Sequence, residues 1–104
     1  MNGFSESRAG RTVVGLLHLK LHVPGALSLK DKRQVIKSFK DRLGHAFNVS
    51  VAEVDYLESH RMAMLAAAMV ANDRAYIEGA LQKIVNMASA HRDMILIESQ
   101  IDWL

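Results

Sequence analysis

The chain contains no cysteine. Disulfide stapling, thiolate metal ligation and thiol catalysis are excluded together, and the composition suits a reducing compartment. There is no apolar run of about 18 residues, the least that a membrane-spanning helix requires. The first residues, MNGFSESRAGR, lack the apolar stretch of a secretory signal. A cytoplasmic protein with no membrane partner is expected. Also missing are a Ser-His-Asp spacing, a phosphate-cradling glycine loop and a metalloprotease motif. The sequence thus offers no catalytic residues, no metal site, no cofactor and no evident small-molecule substrate, and the expectation is that the protein is not an enzyme. Strong charge of one sign is absent too: the net charge of +2 and pI near 9.2 are compatible with nucleic acid without requiring it.

What is present is the composition of one globular domain: 104 residues, half of them apolar and 23% charged. Residues 1–10 are expected to form a flexible tail and 11–104 a single domain. From Thr12 to Val23 the residues alternate, with Leu17, Leu19, Leu21 and Val23 on one side and His18, Lys20 and His22 on the other, which predicts a strand. Pro24-Gly25 ends it. Ser28 with Asp31 three residues on forms a capping box and opens a helix over about Leu29 to Leu43, with Leu29, Ile36, Phe39 and Leu43 on one side and Gly44 at the expected C-cap. Phe47 to Asp55 is β-branched at alternate positions and predicts a second strand.

MAMLAAAMVA, Met62 to Ala71, is helical by intrinsic propensity. However, Asn72-Asp73 caps a separate helix with a core face of Tyr76, Ile77, Ala80, Leu81, Ile84 and Val85, and the ten residues before it better fit a strand paired with Phe47 to Asp55. At the end, Ile95, Ile97, Ile101 and Trp103 alternate with Leu96, Glu98, Gln100 and Asp102, a half-buried strand. The order is βαββαβ. It predicts a ferredoxin-like α+β fold, a four-stranded antiparallel sheet with two helices on one face and the first and third strands central.

One sheet face is then open, and its central strands should alternate apolar with polar. The third does not: Met62, Met64, Ala66, Ala68 and Val70 lie on one side, Ala63, Leu65, Ala67 and Met69 on the other. Val14 and Leu16 extend the apolar character onto the first strand. Small residues such as Ala tolerate exposure, but a contiguous patch on adjacent central strands exceeds what a monomer ordinarily exposes. A homodimer is expected, with Val14, Leu16, Met62, Met64, Ala66 and Ala68 as candidate interface residues.

The one pointer to a class of partner is the first helix. Six of the thirteen Lys and Arg residues fall between Pro24 and Leu43. At about 100° per residue, Lys30, Arg33, Lys37 and Lys40 align on one flank, with Asp31 and Asp41 elsewhere on the wheel. Four aligned cations suit salt-sensitive, sequence-tolerant contact with phosphates. The competing reading is an ordinary solvated face, with Lys stems over apolar surface and Lys32, nearer the apolar side, snorkelling outward. His18 and His22 stand about 13 Å apart on a strand, too far to share an ion. Glu53 and Asp55, on one side of their strand, could form an acid–base pair, although a solvated or ion-paired role is commoner. RNA-recognition domains share the βαββαβ order but stack bases on aromatics of the central strands. Here those strands carry Leu, Met and Ala, while Phe39, Phe47, Tyr76 and Trp103 are assigned to the core or its edge.

The segments VVGLLHLKLHVPGALSLKDKRQVIKSFKDRL, FNVSVAEVD and MVANDRAYIEG resemble the YlxP-like family of small bacterial proteins of unassigned function, and the resemblance runs over nearly everything after the tail. It implies a ferredoxin-like fold and a bacterial cytoplasmic protein often encoded near translation-initiation and ribosome-maturation genes. The chain departs from the family in its N-terminal tail and its Ala- and Met-rich third strand. The functional expectation is a non-enzymatic interaction module that contacts RNA or the ribosome. The alternative is a protein-binding regulatory module acting through the sheet face or edge.

Overall fold

The computed structural model describes residues 11–104, and the expected tail over residues 1–10 lies outside them. The described elements are β1 (Val13–His22), α1 (Leu29–Ala46), β2 (Ser50–Asp55), β3 (Met62–Ala71), α2 (Arg74–Ala90) and β4 (Ile95–Trp103). They form one antiparallel sheet in the order β2-β3-β1-β4, with both helices packed against the same face. This is the ferredoxin-like arrangement, and Met62–Ala71 is a strand despite its helical propensity. The ten-residue register with β1, from Val13 opposite Ala71 to His22 opposite Met62, pairs one edge of its backbone along its full length, and β2 pairs the other edge from Ala68 to Met64.

Local chemistry explains the helix boundaries. The Ser28 side chain accepts from the Asp31 N–H at 3.1 Å, and the Asp31 carboxylate accepts in return from the Leu27 N–H at 3.0 Å. One unpaired donor of the first turn of α1 is thereby satisfied, together with the N–H of the residue just before the cap. At the other end the helix runs through Gly44 to Ala46, and Phe47 caps it in extended conformation by donating to Leu43. The expected glycine cap does not form, and β2 accordingly starts at Ser50 rather than Phe47. Asp73 alone caps α2, its side chain accepting from the Ala75 N–H at 3.0 Å.

The core lies between helices and sheet. Leu17, Leu19 and Leu21 of β1 and Ala63, Leu65, Ala67 and Met69 of β3 meet Ile36, Phe39 and Leu43 of α1 and Ile77, Leu81 and Ile84 of α2, all buried. Gly15 sets the spacing. A Cβ there would stand 2.7 Å from Ile77 Cγ2 and 3.1 Å from Leu81 and Trp103, so the missing side chain lets α2 lie directly on β1. Tyr76 is not part of this core: it is 62% exposed, and Ala88 takes the last buried position of the helix.

Two bulges change faces. Between Lys20 and Leu21 the partner shifts from Glu98 to Leu96, leaving Ile97 as the extra residue. Leu96 therefore joins Ile101 and Trp103 against the core, whereas Ile95 and Ile97 are exposed, contrary to the simple alternation. In β2 the partner passes from Leu65 opposite Glu53 to Met64 opposite Asp55, with Val54 extra.

Candidate functional site

The second bulge separates Glu53 and Asp55, the two carboxylates read as lying on one side of their strand. Glu53 stands opposite core-facing Leu65 and Asp55 opposite open-face Met64, so the two point to different faces. Asp55 accepts from the N–H of Tyr56 at 2.7 Å, closing a local turn in which Tyr56 takes a left-handed φ of 61°. Glu53 accepts from Lys32 at 2.8 Å.

Lys32 does not snorkel. Its side chain has no exposed surface, and its ammonium donates to Glu53 Oε2 at 2.8 Å and to the carbonyl oxygens of Tyr56 at 2.8 Å and Met62 at 3.0 Å. All three donors are used, which is the condition for burying a charge without leaving it uncompensated. Lys32 therefore ties α1 to both ends of the β2–β3 turn. Its place on the apolar side of the wheel was the available signal.

The four stripe residues are brought together as expected. Lys30, Arg33 and Lys37 are exposed and Lys40 is partly so, on the flank of α1 that overlooks β2. Lys40, Asp41, Gly44 and His45 border a shallow hollow whose other side is Val49 and Val51, so the Lys40 end of the stripe lies beside β2, which among the described residues pairs with β3 alone. The stripe is not uniformly available. Lys37 donates to Asp41 at 2.8 Å, four residues on. The hydrogen bond from Lys37 holds the Asp41 carboxyl below its usual value, assisted by the nearby charges of Lys37, His45 and Lys40. Among the described residues Lys30, Arg33 and Lys40 form no ion pair.

The open face carries the expected interface residues. Val14, Leu16, His18, Lys20 and His22 of β1 alternate with the buried leucines, and Met62, Met64, Ala66, Ala68 and Val70 of β3 stand opposite them in register. An aromatic missed in the sequence belongs here: the Lys20 ammonium lies 5.6 Å from the centre of the Tyr56 ring. Tyr56 sits past the end of a strand, where alternation gives no face. Among the described residues no group of three or more metal-ligating side chains converges, and no helix is long and apolar enough to cross a membrane.

Residues 14–101 match the model of a family described as a protein of unknown function, DUF503. The chain belongs to this family. The uncharacterized protein YlxP of Bacillus subtilis (strain 168) is 25% identical to it over 91 residues, covering 88% of this chain and 99% of YlxP. The YlxP-like resemblance therefore extends over most of the DUF503 domain. Among solved structures the de novo designed protein Foldit4 superposes with a TM-score of 0.52 over 89% of this chain and 96% of its own, at 14% identity. At that identity the likeness concerns the fold alone.

Proposed function

We propose that this DUF503 protein is a non-enzymatic interaction module that binds RNA or an RNA-containing particle such as the ribosome through the α1 stripe. The observation that carries the reading is a cationic flank on an ordered helix in which Lys30, Arg33 and Lys40 have no ion-pair partner among the described residues. Such cations exchange condensed counterions for phosphate contacts, which gives binding that is sequence-tolerant and steeply salt-dependent. The genomic setting implied by the family resemblance, close to translation and ribosome-maturation genes, agrees with this partner.

The test is charge reversal of Lys30, Arg33, Lys37 and Lys40 to Glu, followed by ribosome-fraction profiling and RNA titration at several salt concentrations. Each lost phosphate contact should flatten the logarithmic salt dependence by about one unit, and the fourfold variant should lose nearly all of it while keeping its circular dichroism. Unchanged association at low salt would reject the stripe as the binding surface.

A second reading, a protein-binding regulatory module, draws on the edge of β2, which among the described residues pairs with β3 alone and so offers its outer backbone groups to an added strand. Association that survives nuclease and high salt supports this reading over RNA.

A further inference from the structure

We infer that the open sheet face is the site at which a second copy of this chain docks, sheet against sheet, in a two-fold dimer. The apolar part is continuous: Leu16 stands opposite Ala68 and Val14 opposite Val70, Met62 and Met64 follow along β3, and Ala52 of β2 adjoins Ala66. Val70 and Ile95 are 53% and 51% exposed in a single chain, and Val14, Leu16, Met62, Met64, Ala66 and Ala68 are half-buried beside their neighbours.

Three properties favour a second copy over other occupants. The first is area. With strands about 4.8 Å apart and a rise of about 3.3 Å per residue, the face measures roughly 550 Å². Two such faces bury roughly 1,100 Å², enough to clear the ~1,000 Å² expected of a specific interface. The second is charge. The face bears both signs, Lys20 on β1 and Glu98 and Asp102 on β4, and none of the three forms an ion pair among the described residues. A two-fold partner brings the same mixed set and can match it, whereas phosphates would meet Asp55, Glu98 and Asp102. The third is relief. Met64 borders a hollow of about 200 Å³ that also touches Lys20, Glu98 and Asp102, and Ala66 and Ala68 keep the middle of β3 low. A two-fold contact sets the same recess and the same low strip of both copies against each other.

Sedimentation of the full chain through the micromolar range should give a dimer, and Ala66→Glu should weaken it at least about tenfold without altering circular dichroism, since a charge at the centre of a desolvated patch is left unpaired. A second measurement stands on the unmodified protein: mixing isotope-labelled and unlabelled chains should yield intermolecular methyl contacts at Met64. A chain that is monomeric throughout overturns the inference. So does a dimer that lacks those contacts, whatever the fate of the variant. A monomer whose Met64 methyl signals shift on adding single-stranded RNA assigns the face to RNA instead, and one whose signals shift only on adding a different protein assigns it to that protein. Both outcomes reject the second copy.

Discussion

Lys32 gives up the hydration of its ammonium and regains it as three hydrogen bonds, to Glu53 and to the carbonyl oxygens of Tyr56 and Met62. The net stabilisation of such an arrangement is small, but removing one partner leaves the others unsatisfied in a place water reaches poorly. Lys32→Ala should therefore lower stability by about 3 kcal/mol, towards the lower end of the range for a broken buried pair because Glu53 keeps 15% of its side-chain surface. Lys32→Met combined with Glu53→Gln should lose less than Lys32→Ala alone, because no lone carboxylate remains. Urea unfolding measures both. A Lys32→Ala loss below about 0.5 kcal/mol, the size of an ordinary surface change, would show that the ammonium is replaced by water at no cost.

At the scale of the element, α1 combines a capped start, an apolar side and a cationic flank, and the first two were legible because each rests on local spacing. Ser28 to Asp31 gave the cap, and Ile36, Phe39 and Leu43 gave the buried side. The strand assignment of Met62–Ala71 was legible only by elimination, from the cap at Asp73 and the length left before it. What alternation could not give was the pair of bulges. An extra residue at Val54 or Ile97 leaves no mark in the hydrophobic pattern, because it is set by which partner register satisfies the ladder. The apparent pairing of Glu53 with Asp55, and of Ile95 with Ile101, failed for that one reason. The stripe itself was legible, and its partial neutralisation could have been: at about 100° per residue Asp41 falls about 20° from Lys30 and about 40° from Lys37, so the expectation that it lies elsewhere on the wheel was mistaken and the i,i+4 spacing lets Lys37 reach it. Asp41 should titrate below an ordinary aspartate, followed by its side-chain carbonyl carbon resonance, and Lys37→Gln should raise that pKa towards the usual value. An acid depressed in this way stabilises the fold above its unfolded pKa and loses that contribution as pH falls through the depressed one. Because the pair is solvent-exposed, the effect on unfolding should be slight even though the titration shift is clear. No change in the Asp41 titration on Lys37→Gln would mean that the contact is not populated in solution.

For the whole molecule the decisive feature is that its two candidate surfaces lie on opposite sides. α1 covers one face of the sheet and directs its stripe towards the β2 edge, whereas Met64, Ala66 and Ala68 face away from both helices. The cations are carried by the helix layer and the apolar residues point away from it, and exposed charges more than about 8 Å apart are largely screened at physiological salt. The two surfaces should therefore behave as independent sites whose effects add. Reversing Lys30, Arg33, Lys37 and Lys40 should leave the dimer dissociation constant within about twofold, because each stripe stays outside the contact and is screened from it. Conversely, Ala66→Glu should preserve the affinity of one protomer for a short RNA while reducing retention on a long one, since a dimer displays two stripes and gains from their simultaneous engagement. Sedimentation of the stripe variant and titration of the Ala66→Glu variant with RNAs of two lengths measure these effects separately. If charge reversal on α1 dissociated the dimer, the stripe would have to lie within the contact. The sheet-against-sheet arrangement would then give way to one in which the stripe of each copy meets acidic side chains of the other.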